Sequence, residues 1–153
     1  MAQEREKLHG CTCLAIRQAA RHVTQFYDQF LAQAGLRTTQ YSVLANLRRH
    51  GPTTINALAA HLVMDRTTLG RNILPLQRQG LIATEKDETD RRSKKLRLSD
   101  EGLARLRASG KLWSQAQAQF EATFGGKRTA DLHVLLRGVT ESNLGAAPDR
   151  PAI

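Results

Sequence analysis

Residues 65–98 read DRTTLGRNILPLQRQGLIATEKDETDRRSKKLRL, and a change of hydrophobic period inside this stretch decides the fold. From Asp65 to Gln79 the apolar residues Leu69, Ile73 and Leu76 recur at steps of four and three, the stripe of an amphipathic helix. Asp65 can accept amide hydrogens at the helix start and Gly80 ends it. Pro75 lies inside the pattern, where the missing backbone donor predicts a bend. After Gly80 the period falls to two. Leu81–Thr84 and Lys95–Leu98 read as strands, and the charged run Glu85–Lys94 joins them as the tip of a β-hairpin.

Upstream, Cys11–Ala34 contains no Gly or Pro and spaces Ala15, Ala19, Val23, Phe26 and Phe30 as one helical face. Gly35 stops it. Thr38 is the expected N-cap of a second helix running through Tyr41, Val43, Leu44 and Leu47 to about His50. Gly51-Pro52 breaks the chain, and Thr54 caps a short third helix carrying Ile55, Leu58, Ala59 and Leu62. Downstream, Ser99 followed by Asp100 and Glu101 suits the positive end of a helix dipole. Leu103, Leu106, Gly110, Trp113, Gln117, Phe120 and Phe124 then form a near-heptad seam. Gly125-Gly126 closes that helix, and a last one over Thr129–Asn143 presents Leu132, Leu135, Leu136 and Val139.

This order, three short helices and then a hairpin, predicts a mainly α protein with a small β-hairpin wing: a winged helix-turn-helix over residues 36–100. Residues 8–35 and 101–144 form a helical dimerisation region, with flexible ends at 1–7 and 145–153. The second helix of such a pair fits a major groove, and a basic hairpin reaches the neighbouring minor groove. Opposite the apolar stripe stand Arg66, Thr67, Thr68, Arg71 and Asn72. Arg forks to guanine, Asn pairs with adenine and Thr methyls meet thymine methyls. Arg91, Arg92 and Lys94 suit phosphates or a narrow groove, and Thr54 joins them as a DNA-binding candidate.

Composition agrees. The 153 residues carry 23 Lys+Arg against 14 Asp+Glu, a formal charge of +9 that points first to nucleic acid. Aromatics are only 5%, too few for a sheet that stacks single-stranded bases. There is no apolar run of membrane-spanning length and no signal-peptide pattern at the start. Cys11 and Cys13 are no disulfide framework, so a reducing, cytoplasmic setting is expected. The Gly-rich phosphate loop, G-x-S-x-G and H-E-x-x-H patterns are all missing, which argues against an enzyme; no catalytic residue and no cofactor is assigned. His22, His50, His61 and His133 lack paired zinc spacing, so no metal site is assigned.

The run from Gly35-Leu36-Arg37-Thr38-Thr39-Gln40-Tyr41 through Thr54–Ala59, Asp65–Leu69, Gly80-Leu81-Ile82 and Asp90-Arg91-Arg92 to Leu98-Ser99-Asp100-Glu101-Gly102 resembles the multiple-antibiotic-resistance regulator (MarR) family. The resemblance spans about Cys11 to Asn143. It implies a homodimeric transcription factor, usually a repressor, with Arg92 at the wing tip and Thr67, Thr68 and Arg71 on the recognition helix. It also implies a cleft that takes aromatic or phenolic acids, towards which Arg17, Arg21 and His22 can attract an anion. By the family's spacing Cys13 falls where the organic-hydroperoxide-sensing branch keeps its reactive cysteine. Tyr27 falls on one of that branch's two tyrosines, and Arg17 replaces the other.

The residues give their own reason for a dimer. Trp113, Phe120, Phe124, Leu132, Leu135 and Leu136 exceed what a small winged lobe can cover, and a twin subunit covers them through a two-fold axis. Paired recognition helices then meet half-sites about 10 bp apart on a near-palindrome. Two switches are open: a small aromatic or anionic ligand, or oxidation of Cys11 or Cys13, since helix N-termini favour thiolates. A disulfide between these two cysteines is disfavoured inside a helix, where residues two apart point to nearly opposite sides. The competing expectation is a basic architectural DNA- or RNA-binding protein without a defined operator.

Overall fold

The computed structural model describes residues 10–90 and 92–145; the flexible ends expected at 1–7 and beyond 145 lie outside them. The chain divides into two compact units, Met1–Ala116 and Gln117–Ile153. This division falls elsewhere than the functional regions 36–100, 8–35 and 101–144, which are assignments of role.

Helix α1 (Thr12–Leu31) starts one residue later than the pattern suggests, because Cys11 is its N-cap: the backbone there is extended, and Sγ accepts the Leu14 amide at 3.5 Å. Ala32–Ala34 tighten into a 3₁₀ turn that ends on Gly35 at φ 68°, a left-handed conformation that suits glycine. Helix α2 (Thr38–His50) corrects one expectation. Thr38 is inside the helix, and Arg37 precedes it as cap residue. Capping comes from elsewhere: Gln40 Oε1 accepts the Arg37 amide at 3.0 Å. Asp28 Oδ1, on α1, accepts both the Thr38 amide and the Thr38 hydroxyl at 2.7 Å. A carboxylate from a neighbouring helix thus does what the local hydroxyl was expected to do.

Strand β1 (Thr53–Thr54) precedes α3 (Ile55–His61), whose cap is Thr54, with its hydroxyl oxygen accepting the Ala57 amide at 3.2 Å. Helix α4 (Arg66–Arg78) continues past Pro75 to the end expected for it. Strands β2 (Ile82–Lys86) and β3 (Lys94–Leu98) are longer than the alternation indicated, and β3 lies between β1 and β2 in an antiparallel sheet. The expected hairpin is therefore two strands of three. Two residues are too few to show a period, so β1 left no pattern in the sequence. Thr53 faces Leu96 across the ladder.

Val43, Leu44, Leu47, Leu58, Leu69, Ile73, Leu76, Leu81, Ile82 and Leu96 fill one core between α2, α3, α4 and the sheet. Burying each large side chain contributes about 1.5–3 kcal/mol. Helix α5 (Asp100–Phe124) starts on this core: the Ser99 hydroxyl donates to the Gly80 carbonyl at 2.5 Å and accepts the Gly102 amide at 2.9 Å, and the Ser99 amide donates to the Leu81 carbonyl at 3.2 Å. Along α5 the buried residues are Gly102, Leu106, Ser109 and Ala116. Only Leu106 of the expected seam is among them, and Trp113 remains 38% exposed, stacked on Tyr41 at 6.3 Å.

In the second unit, helix α6 (Gly126–Glu141) begins three residues before the expected start. The Arg128 guanidinium lies 4.2 Å over the Phe124 ring, and Phe124 packs with Phe120 at 5.4 Å. Val134, Leu135, Leu136 and Val139 on α6 are exposed.

Gly102 tests the docking of α5. A Cβ there would overlap the Leu81 carbonyl oxygen and press on Leu98 Cδ2 at 3.2 Å. Gly102→Ala gains about 1 kcal/mol of helix propensity, yet we expect a net loss of about 1–3 kcal/mol from overpacking. Urea unfolding measures it; a more stable variant would show that the helix does not sit this close to β2.

Candidate nucleic-acid interface

Asp65 organises the start of α4. Its Oδ1 accepts the Thr68 amide at 2.8 Å and its Oδ2 accepts the Thr68 hydroxyl at 2.5 Å. These two bonds, the side-chain one first, hold the Asp65 carboxyl below its usual range. Thr68 therefore spends its hydroxyl proton on the cap and remains exposed. With Leu69, Ile73 and Leu76 buried, the helical turn of about 100° per residue puts Thr67 and Arg71 on the opposite side. Arg66 and Asn72, expected on that face, instead border the buried stripe, about 60° to either side of Leu69; Arg66 is exposed and Asn72 half-buried. Arg78 lies on the same outer line as Arg71 and is also exposed. The sequence reading does not include it, although the 3.6-residue period that picks out Arg71 also reaches Arg78.

The turn between α3 and α4 is unusual. Val63 has φ 52° and is 73% exposed. A β-branched residue in the left-handed region costs roughly 1–2 kcal/mol, so this turn is held by the two helices it joins. Its amide donates to Ala60 O at 3.2 Å, and the Met64 amide to Ala59 O at 2.9 Å.

The wing is built around a carboxylate. Asp87, 8% exposed, accepts the Thr89 hydroxyl at 2.8 Å, the Thr89 amide at 3.0 Å and Lys95 Nζ at 3.1 Å. These bonds, the Thr89 hydroxyl first, bring its pKa down to about 2. Asp90 holds the other half of the tip, accepting the Arg92 amide at 3.0 Å and, through its carbonyl, the Ser93 amide at 2.9 Å. Arg92 and Lys94 are left exposed; Arg91 lies outside the described residues. Thr54 is half-buried, at the N-terminus of α3.

The effector candidates all lie on α1 or at its start. Cys13, Arg17, Arg21 and His22 are exposed, Cys11 is half-buried and Tyr27 is 8% exposed. Cys13 and Tyr27 are fourteen positions apart on one helix, about 21 Å at 1.5 Å per residue, so they cannot meet within one chain. Because Cys11 is the cap, the objection to a disulfide that assumes both cysteines in helical geometry does not apply to it. None of these side chains lines the open cleft of about 270 Å³ formed by Tyr41, Ala45, Arg48, Leu106 and Arg107. Burial pushes the Tyr41 phenol above its usual pKa. The sequence reading missed this basic, aromatic-walled cleft because its residues come from α2 and α5, more than fifty positions apart. It also missed His50 and His61, whose rings stack at 3.8 Å with 8° between their planes and join the ends of α2 and α3. Loss of water around its ring, then the charges of His61 and Arg49, hold His50 below the usual imidazole value.

A groove-sized helix with an outward Arg and Thr face, beside a cationic three-stranded wing, defines a winged helix-turn-helix protein. The comparisons agree. The MarR family model matches residues 34–93. The chain is 34% identical to the Mycobacterium tuberculosis transcriptional regulator MosR, solved in complex with DNA, covering 85% of this chain and 96% of that one with a TM-score of 0.73. A probable transcriptional regulator from Pseudomonas aeruginosa is 26% identical, with 86% and 98% covered and a TM-score of 0.78. Among curated proteins, the organic hydroperoxide resistance transcriptional regulator of Bacillus subtilis is 28% identical over 96 residues, 63% of this chain and 65% of that regulator's length. The chain belongs to the MarR family of transcriptional regulators. No helix among the described residues is long and apolar enough to cross a membrane.

The Asp87 contacts carry a pH signature. A carboxyl depressed from 3.8 to about 2 contributes stability that is complete above about pH 4 and lost as pH falls through 2. We expect exchange protection of the Thr89 amide to fall across that window, and Asp87→Asn to flatten the dependence. Equal protection at pH 2 and pH 5 would remove Asp87 from this role.

Proposed function

We propose that this chain acts in the cytoplasm as a homodimeric repressor, bound to a pseudo-palindromic operator and released by a small ligand or by cysteine oxidation. The observation that carries the DNA half is the outward face of α4, where Thr67 and Arg71 stand opposite a buried apolar stripe, together with the exposed Arg92 and Lys94 of the wing. Arg66, Thr68, Asn72, Arg91 and Thr54 complete the candidate contact set. Arg71 and Asn72 suit base edges, and the wing cations and Thr54 suit phosphates. The complex of MosR with DNA supports the reading. The exposed Val134, Leu135, Leu136 and Val139 support a second copy as their cover.

For release, the Tyr41–Arg48–Arg107 cleft fits a small aromatic acid: the arginines take the carboxylate, and Tyr41 with Leu106 takes the ring. It lies where α2 of the reading lobe meets α5, so a ligand there can favour one lobe orientation over another. Arg17, Arg21 and His22 have no place in this cleft within one chain. For oxidation, exposed Cys13 in the first turn of α1 is the better-placed thiol. It would take one oxygen from a hydroperoxide, leaving a sulfenic acid and the corresponding alcohol. The name of the Bacillus subtilis relative favours this branch.

Three measurements test the proposal. Light scattering should give twice the 17.0 kDa chain mass. Arg71→Ala should weaken binding to a duplex selected from random sequence by about 1–3 kcal/mol and relax its base preference. Cys13→Ser should bind as wild type yet resist release by an organic hydroperoxide. A monomer indifferent to duplex DNA would end the proposal, and equal release of the Ser variant would end its redox branch.

A further inference from the structure

The wing sorts its charges by face. Successive strand residues alternate sides, and directly opposed residues of an antiparallel pair share one. On one side Glu85 opposes Lys95 and Ala83 opposes Arg97. Each cation there has a carboxylate: Arg97 pairs with Glu85 at 3.2 Å and Lys95 with Asp87 at 3.1 Å. The other side begins in the core with Ile82 opposite Leu98, continues through Thr84 opposite Leu96, and ends at the tip with Lys86 opposite Lys94. Thr84 on this side accepts a hydrogen bond from Gln77 of α4 at 3.0 Å, so this is the side turned towards the recognition helix. Lys86 and Lys94 are both exposed, and among the described residues neither has a carboxylate partner. Glu85, Asp87, Glu88 and Asp90 are all within four positions of Lys86, yet none pairs with it.

Like charges placed directly across a ladder destabilise the hairpin. We propose that this cost is retained because Lys86 and Lys94 together clamp a phosphodiester of duplex DNA alongside α4, while the opposite side of the wing is kept neutral and takes no part. Lys86 thereby becomes a DNA contact that neither the wing-tip arginines nor the α4 face accounts for. The inference rests on the DNA-binding reading above. An anion between the two ammonium groups removes their repulsion, so binding and wing order reinforce each other. The contact is to backbone and therefore independent of base sequence.

The test needs no operator. Binding of the full chain to a mixed-sequence duplex of about 30 bp is followed by fluorescence anisotropy between about 50 and 200 mM KCl, beside thermal unfolding without DNA. The double variant Lys86→Gln/Lys94→Gln should reduce the slope of log affinity against log salt by about 0.9, the loss of one phosphate contact, so that a fourfold rise in salt weakens it about 3.5-fold less than wild type; each single variant should lose part of that slope. Their Tm should be equal to or above that of the wild type, because a repulsion has gone. Lys86→Arg should keep the wild-type slope. Lys95→Gln should leave the slope unchanged and lower the Tm, since it deprives Asp87 of a partner. A wild-type chain that binds no duplex overturns the DNA reading itself. A wild-type chain that binds while Lys86→Gln keeps the full slope overturns the clamp alone, as does a Lys86→Gln variant that loses Tm together with affinity.

Discussion

Four backbone segments meet at Ser99. Its hydroxyl joins the Gly80 carbonyl, where α4 has just ended, to the Gly102 amide, where α5 has just begun, and its own amide donates to Leu81, the residue before β2. The end of β3 is fixed by the same residue. Gly80 can end α4 because it sits at φ 72°, and α5 can approach because Gly102 has no side chain to meet Leu81. Three features of the reading lobe follow from this junction. It sets where the recognition helix stops, where the wing starts and the line along which the long helix leaves the core.

Acids and bases play different parts in the lobe. Asp28, Asp65, Asp87 and Asp90 all accept backbone amides and shape the chain: one starts α2, one starts α4 and two fold the wing tip. The cations are left over for the outside. A net charge of +9 is thus no diffuse property, because many of its opposing carboxylates are engaged in structure. Arg71, Arg78, Lys86, Arg92 and Lys94 remain exposed. Such an arrangement concentrates positive potential on α4 and one side of the wing, where a phosphate backbone can neutralise it.

Much of this was legible in the chain, element by element. The Leu69–Ile73–Leu76 stripe, the caps at Thr54 and Asp65 and the stop at Gly80 are local signals: the caps bond within three residues and the stripe repeats within one helix. The Thr38 cap failed for the opposite reason: Asp28, ten residues away on another helix, outcompetes the local hydroxyl. Strand β1 is two residues long and paired only by position. Within one chain the buried residues of α5 include small Gly102, Ser109 and Ala116, which carry little hydrophobic signal, whereas the aromatic part of the near-heptad seam is the part expected to await a second copy. For the site, the α4 face was visible through periodicity, whereas the Tyr41–Arg48–Arg107 cleft was not, since no period links α2 to α5.

The sequence by itself determined the order of elements, the apolar face of each short helix and the presence of a basic reading surface, because these depend on period, caps and composition, which act over a few residues. Only the tertiary structure decided which cations are neutralised and which stand free, that Lys86 faces Lys94 rather than a carboxylate, and that an aromatic-walled cleft forms above Arg48. Those outcomes depend on register and on distances between segments far apart in the chain. Coulomb interaction and packing act through space, and a linear pattern carries no record of it.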